Sequence, residues 1–398
     1  MYVKHSSHTG IEAKCKQDTH LALIHISLET YPFFIQPILS LLLHNDRIAE
    51  DGNAFEPARP WQFWYPFTNV SITPNECSVV CPRHQAEALF IPVMNKLDAN
   101  ARKRISISAD DYSAIMIGGE GLEAGKRVLD LTSPLALAGI SILFITSYYS
   151  DFILVPYSAR PTVISALEDR GFVFERRENG DGGYMANPSS PVLHGRHRSS
   201  SSASYDFSPT AGTPLPSSVP ELQNRTFKLL RRHGIIPNVD ESLELVTCAG
   251  IKDSTASTAA TNYSEGKIQL GVMKCLSSTP PPAFLSLTLT DQESASLTME
   301  KRLSTSFYND GEDLLLGKDG PEQVSITLDL KDLPLESTGI VCGVASRLTE
   351  SMKWRIDDVF NMSYLSTAQA GHVIVYKDEL ADALEALESV EVNGVHAA

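Results

Sequence analysis

The chain has 398 residues, of which 42% are hydrophobic and 20% charged, a composition typical of a globular protein with two or more domains. Its formal net charge of −15 disfavours a nucleic-acid backbone or an anionic membrane surface as the main partner. No run of about 18 apolar residues marks a membrane span, and six scattered cysteines are typical of reduced thiols, so we expect a cytosolic protein.

The first predicted unit covers residues 20–100. The segment before it, 1–19, lacks the apolar core of a signal peptide and is predicted to be disordered. Alternating and dense apolar patterns then predict a strand, a buried helix, two strands joined by a turn, and a second helix. These elements are predicted at 20–28, 33–44, 67–73, 77–82 and 84–97.

The second predicted unit covers residues 110–177. It repeats the order with a strand, a helix that ends at Gly139, two strands, an amphipathic helix and a last strand. The order βαββαβ is that of the split βαβ, or ferredoxin-like, unit. The elements are predicted at 112–118, 122–139, 141–147, 151–156, 159–171 and 172–177.

A Gly-, Ser- and Pro-rich stretch separates the two halves of the chain. Apolar periodicity vanishes over 178–222, which predicts a disordered linker. Its serines beside arginines, "RHRSSSSAS" (196–204), have two interpretations, a solvated tether or a phosphorylated segment.

The order of elements recurs after the linker in two more predicted units, 223–322 and 323–395. A shift of 220 residues places Ser141-Ile142 on Asn361-Met362, and it preserves the apolar pattern through two strands and a helix. The predicted fold class is therefore α+β, with four tandem ferredoxin-like βαββαβ modules in two halves.

Three stretches resemble one family of nutrient sensors. "SPLALAGISILFITSYYSDFILV" resembles the second ACT module of the CASTOR arginine sensors, "DLLLGKDGPEQVSITLDLKDLPLESTGIVCGVASRL" the start of their last module, and "ISLETYPFFIQPILSLLL" their first. In that family four ACT modules pack in pairs, and a free amino acid binds between the second and the fourth. The ligand controls a regulator upstream of the TOR growth kinase. ACT modules also regulate aspartate kinases.

The resemblance implies a set of ligand-binding residues. Ser141 and Ile142 match the family's ligand-contacting serine and its aliphatic neighbour. The stretch "ESTGIV" (336–341) matches the loop that opens the last helix. The family's ligand-facing glutamate in that loop falls on Ser337, with Glu336 one position away. The implied set is Ser141, Ile142, Ser337, Thr338, Gly339, Ile340, Val341, Thr367, Ala368 and Gly371.

The same residues bear on the identity of the ligand. Backbone N–H groups at a helix start suit the carboxylate of an amino acid. The family's aromatic contact becomes Ala368, and the aspartate that grips the arginine side chain becomes Gly371, so both positions are expected to leave space. A guanidinium is bound best by a carboxylate that accepts two hydrogen bonds from it. Arginine is therefore disfavoured, and a smaller or less basic amino acid, or no ligand, remains open.

Motifs for other chemistries are incomplete. "IMIGGEGLEAGKR" departs from a phosphate-binding loop because Glu120 and Arg127 replace required residues. Cys77, Cys81 and His84 lack a fourth metal ligand. We therefore expect no cofactor, no metal and no catalysis, with a free amino acid and a signalling protein as partners and a homodimer as an option. The alternatives are a ligand-free ACT scaffold that acts through protein contacts and a regulatory subunit of an amino-acid biosynthetic enzyme.

Overall fold

The structure, a computed structural model, describes residues 11–15, 19–43, 65–119, 124–170, 215–251, 258–309, 312–334, 337–352 and 361–389. Within these ranges it forms eighteen strands and ten α-helices. The strands are β1 (Ile11–Cys15), β2 (Leu21–Ile26), β3 (Thr68–Ile72), β4 (Cys77–Pro82), β5 (Ile105–Ile107), β6 (Tyr112–Gly119), β7 (Leu143–Thr146), β8 (Ser150–Pro156), β9 (Asn238–Val239), β10 (Leu245–Gly250), β11 (Leu285–Leu289), β12 (Ser296–Glu300), β13 (Tyr308–Asn309), β14 (Glu312–Asp313), β15 (Leu315–Leu316), β16 (Gln323–Asp329), β17 (Ser363–Ser366) and β18 (Ala370–Tyr376). The helices are α1 (Tyr31–Leu43), α2 (Arg83–Leu89), α3 (Ile91–Met94), α4 (Ala99–Arg102), α5 (Ala124–Leu137), α6 (Arg160–Glu168), α7 (Val219–Arg232), α8 (Thr258–Leu276), α9 (Ile340–Met352) and α10 (Leu380–Glu388).

Sixteen of the described strands belong to one antiparallel sheet. Its path contains two six-stranded runs. The first run is β2-β4-β3-β11-β12-β10, and the second run is β6-β8-β7-β17-β18-β16. The runs are joined by single residue pairs, Leu21 with Tyr112 and Leu245 with Gln323. Because β2 pairs with β6, the path closes on itself.

Alternation along the strands divides their apolar side chains between two faces. Outward-facing residues of the second run pack with α5, α6, α7, α9 and α10. Those of the first run pack with α1, α2 and α8. A third cluster draws on both runs, including Leu21, Phe67, Phe152 and Leu365, and fills the space between them. The strands are buried on both faces because each run has helices on one side and the other run on its opposite side.

The predicted fold class, four ferredoxin-like ACT modules in two halves, is wrong. The described strands do not form a separate sheet for each predicted module, since β3 pairs with β11 and β7 pairs with β17 across the chain. An unpaired strand edge carries N–H and C=O groups that seek partners. Pairing across segments satisfies these groups, and the local apolar pattern does not show it.

Several local elements also differ from the predictions. Ile11–Cys15 pairs with β6, although it lies in the segment predicted to be disordered. The predicted helix 84–97 is divided into α2 and α3, where Pro92 lacks the N–H that a continuous helix needs. α7 covers a stretch for which no helix was predicted. The predicted strand 172–177 and most of the predicted linker lie outside the described residues.

Other predicted elements stand where the patterns put them. β17, β18 and α10 each lie 220 residues after β7, β8 and α6. The helix predicted to stop at Gly139 ends at Leu137, and the glycine that follows it has φ of 72°. No helix in the described part of the chain combines the length and the apolar character that crossing a bilayer requires.

Candidate functional site

A cleft opens between the end of α5, the start of α9 and the tip of the β17–β18 hairpin. Its cavity volume is about 60 Å³, several times the roughly 10–15 Å³ that one ordered water needs. The described residues that line it are Thr132, Ala136, Ile140, Ser141, Ile142, Leu143, Leu330, Leu333, Pro334, Ser337, Gly339, Ile340, Val341, Cys342, Tyr364, Ser366, Thr367, Ala368, Gln369 and Ala370.

The first wall of the cleft follows the end of α5. The Gly139 N–H donates to the Ala136 carbonyl at 3.0 Å, and the Ile140 N–H donates to the Leu135 carbonyl at 2.9 Å. This is a Schellman turn, which needs a left-handed residue at the glycine. The turn reverses the chain, so residues 140–142 face the cleft before β7 begins.

The second wall is the start of α9. Its first helical hydrogen bond runs from the Gly343 N–H to the Gly339 carbonyl at 2.8 Å. The N–H groups of Ile340, Val341 and Cys342 precede this bond and have no acceptor within the described residues. Free N–H groups and the helix dipole together favour an anion such as a carboxylate.

A polar contact joins these two walls. The Ser141 hydroxyl donates to the Ser337 carbonyl at 3.4 Å. Nearby, the Phe144 N–H donates to the Ser366 hydroxyl at 2.9 Å. The cleft is therefore closed at its base by contacts between segments about 200 residues apart in the chain.

The third wall is the hairpin tip after β17. The Thr367 hydroxyl donates to the Ala370 carbonyl at 3.1 Å and lies 3.2 Å from the Ala370 N–H. The threonine hydroxyl therefore shapes the hairpin turn. The next two N–H groups bond to residues outside this hairpin. The Ala368 N–H donates to the Ser78 hydroxyl at 3.2 Å, and the Gln369 N–H donates to Glu76 Oε1 at 2.6 Å.

Gly371 does not provide the space that the sequence suggested. The Tyr364 hydroxyl stands where a Cβ at position 371 would project. Tyr364 is 1% exposed and lines the cleft. Burial raises the pKa of the Tyr364 phenol above its usual range, so the group is a neutral donor and acceptor at physiological pH.

The structure brings most of the implied site residues together. Thr338 and Gly371 do not line the cleft, and Glu336 lies outside the described residues. Sequence patterns missed Tyr364, because it reads as one more apolar position in a strand. The residues of the implied set that do line the cleft are Ser141, Ile142, Ser337, Gly339, Ile340, Val341, Thr367 and Ala368.

The described lining is uncharged. Its polar groups are hydroxyls, one amide side chain, one thiol and backbone groups. Burial raises the pKa of the Cys342 thiol to about 11, so this group is protonated at neutral pH. An uncharged lining with one anion-favouring helix start suits a small zwitterion better than a ligand with a strongly charged side chain.

Other candidate chemistries do not assemble. Asp151 is paired with Arg127, the His372 ring lies 3.0 Å from the Thr327 hydroxyl, and Ser141 has the contact already described, so these groups form no triad. Among the residues that the structure describes, no group of three His, Cys, Asp or Glu side chains could hold a metal ion.

Residues 107–169 match the ACT domain family. The chain contains an ACT domain. The match runs from β5 to the end of α6 and so includes the first wall of the cleft. One ACT domain is found, not the four that the sequence suggested. No curated protein matches the sequence.

Comparison with solved structures gives distant likenesses. Aspartate kinase from Synechocystis aligns at 12% identity with a TM-score of 0.31, over 97% of this chain and 57% of the kinase chain. A putative C-terminal regulatory domain of aspartate kinase from Porphyromonas gingivalis W83 aligns at 13% identity and 0.25, over 41% and 97%. The regulatory subunit of aspartate kinase from Thermus thermophilus aligns at 15% identity and 0.24, over 40% and 97%. Similarity at this level assigns no activity to the chain.

Proposed function

We propose that this protein is a non-catalytic regulator that binds a free amino acid in the cleft described above. One observation carries the proposal: N–H groups at the start of α9 that have no acceptor among the described residues open onto a cleft that Tyr364 lines and of which the ACT domain forms one wall. ACT domains generally bind amino acids.

The cleft suggests an orientation for the ligand. Its α-carboxylate would accept hydrogen bonds from the N–H groups of Ile340 and Val341, where the helix dipole adds favourable charge. The ammonium would be met by backbone carbonyl and hydroxyl oxygens of the walls. The side chain would extend toward Ala368 and Tyr364.

We propose an amino acid with a small, neutral side chain. Tyr364 fills the place in which a carboxylate at position 371 would stand, and the described lining offers no counterion for a guanidinium. Burying an unpaired charge is costly. A hydroxyl or short aliphatic side chain fits this lining better than arginine does.

The resemblance to the CASTOR sensors supports a finer proposal about output. We propose a protein partner in nutrient signalling on the TOR pathway, a cytosolic location, and ligand binding that changes affinity for that partner. ACT domains often dimerise, which supports a homodimer. The alternatives are a scaffold that binds no ligand and a regulatory subunit of an amino-acid biosynthetic enzyme.

Isothermal titration of the full chain against each of the twenty amino acids tests the proposal. A saturable signal is expected for one or a few small neutral amino acids, and none for arginine or glutamate. Ser337→Trp, which adds bulk to the cleft, should abolish the signal. Ser351→Trp places the same side chain at an exposed position near the far end of α9 and should preserve it.

Each outcome has a defined meaning. Binding of none of the twenty amino acids would overturn the sensor proposal and leave the ligand-free scaffold. Tight binding of arginine would overturn the proposed ligand class alone. Co-purification of a biosynthetic kinase in stoichiometric amount would favour the regulatory-subunit alternative.

A further inference from the structure

A helix outside the ACT domain match contacts both walls of the cleft. α7 packs along α9 through two contacts. The ring centre of Phe227 lies 3.8 Å from the guanidinium carbon of Arg347. The Gln223 amide lies 3.0 Å from the Ser346 hydroxyl. The helix is amphipathic, and its buried face includes Phe227 and Gln223. These two contacts therefore hold α7 on α9.

The first turns of α7 reach the start of α9. The Thr226 hydroxyl donates to the Gly339 carbonyl at 3.1 Å, the same carbonyl that accepts the first helical bond of α9. A Cβ at position 339 would lie 2.5 Å from Leu222 Cδ1, and one at position 343 would lie 2.6 Å from the Thr226 hydroxyl. Two glycines of the α9 start thus lie directly against α7.

The same segment contacts the opposite wall. Leu222 forms a buried cluster with Ala136 on α5 and Cys342 on α9, and both of these residues line the cleft. Leu215, just before α7, lies against Gly139, the left-handed residue that ends α5. One short stretch of chain therefore packs on both left-handed glycine turns that lead into the cleft walls.

We propose that Leu222 and Thr226 are positioning residues, which hold the N–H groups at the start of α9 in the geometry that receives the ligand carboxylate. Gly339 has φ of 80°, a conformation that the helix does not impose by itself. Leu222 covers this turn on one side, and the Thr226 hydroxyl holds its carbonyl. The proposal rests on the proposed function for the role of the cleft, but the contacts themselves can be tested without a ligand.

The first experiment compares Leu222→Ala with Leu230→Ala by hydrogen exchange without ligand. Both leucines are 3% exposed on α7, but Leu230 belongs to the large core cluster and not to the small cluster of Leu222, Ala136 and Cys342. Both variants should lose thermal stability. Only Leu222→Ala should accelerate amide exchange over residues 343–346, which begin with the Gly343 N–H bonded to the Gly339 carbonyl, by about five-fold or more at matched stability, in the range of typical couplings between sites.

The second experiment isolates the hydroxyl. Thr226→Val keeps the shape of the side chain but cannot donate to Gly339, and Thr226→Ser keeps the donor. Faster exchange over 343–346 is expected for the valine variant and near-normal exchange for the serine variant. Equal exchange in Leu222→Ala and Leu230→Ala, together with no difference between the two Thr226 variants, would overturn the positioning role.

Ligand affinity then connects the two proposals. With an amino acid that binds the wild-type chain, Leu222→Ala should weaken binding about five-fold or more and Leu230→Ala less than about two-fold. If none of the twenty amino acids binds the wild-type chain, the proposed function fails while the exchange experiments still decide the positioning role. If binding occurs and both leucine variants bind equally well, the positioning role fails and the proposed function stands.

Discussion

Glu76 accepts a hydrogen bond from the backbone N–H of Gln369 at 2.6 Å, although the two residues belong to hairpins of different six-stranded runs. The other carboxylate oxygen of Glu76 lies 2.5 Å from His25 Nδ1, and Glu76 is fully buried. Gln369 lines the cleft. A buried ion pair or hydrogen-bonded pair in the first run thus holds the third wall of the proposed ligand site in the second.

Replacing Glu76 should loosen that wall. Glu76→Ala leaves His25 and the Gln369 N–H without their partner, and we expect a loss of about 3–5 kcal/mol in the free energy of unfolding. Glu76→Gln keeps an acceptor for the Gln369 N–H and should lose clearly less. Urea denaturation measures both variants, and equal losses would show that the Gln369 contact contributes little.

Adding a side chain at Gly371 should be costly because Tyr364 occupies the space. Gly371→Ala is expected to lower the free energy of unfolding by about 1–3 kcal/mol, as overpacking does. Tyr364→Phe removes the clashing hydroxyl. The double variant should therefore recover part of the loss, with a coupling energy of about 0.5–3 kcal/mol in a double-mutant cycle. Strict additivity in that cycle would contradict the contact.

Alanine should have opposite effects at two glycines. Gly339 has φ of 80° and lies against Leu222, so Gly339→Ala should destabilise the fold and weaken ligand binding. Gly266 is an exposed residue of α8 with open space around it. Gly266→Ala should stabilise the protein by about 0.4–1 kcal/mol. Thermal unfolding of the two variants checks the difference in sign.

The buried His372 should make stability depend on pH. Burial lowers the pKa of His372 to about 3 from 6.5. Below pH 6.5 the His372 imidazole binds a proton in the unfolded chain but not in the folded chain. The free energy of unfolding therefore falls as pH falls from 6.5 toward 3. The contribution is about 1.4 kcal/mol per pH unit.

A variant isolates this contribution from that of the carboxylates. His372→Asn cannot titrate in this range, so its stability should fall less steeply with decreasing pH than that of the wild-type chain. Denaturation curves at pH 7, 6, 5 and 4.5 measure the two slopes. Parallel slopes would mean that His372 is protonated in the folded state as well, or that its pKa is the same in the folded and the unfolded chain.

The sequence predicted the strands and helices around the cleft better than the side chains that fill it. Apolar alternation located the strands β7, β8, β17 and β18, and the glycine at 139 located the end of α5. The prediction of open space at Gly371 was wrong. Tyr364, seven residues earlier on the neighbouring strand, projects into the same place. Which side chain fills a gap depends on strand register, and a residue pattern alone does not reveal that register.

α7 was missed although its signals are present. Ser218 caps the helix by accepting from the Glu221 N–H, and Pro220 lies in the first turn. Both residues fall at the end of a Ser- and Pro-rich stretch, where composition argued for a linker. The closed path of the sheet had no local signal, because two of its pairings, β3 with β11 and β7 with β17, join strands more than 200 residues apart.

The closed path of strands has a consequence for how the chain is made. β3 pairs with β4 on one side and with β11 on the other, and β11 begins at Leu285. At about 5–20 residues per second, ribosomes need roughly ten to forty seconds to reach Leu285 after β3 emerges. During that time the open edge of β3 can pair with other nascent chains. Newly synthesised protein should therefore depend on chaperones far more than the finished fold would suggest.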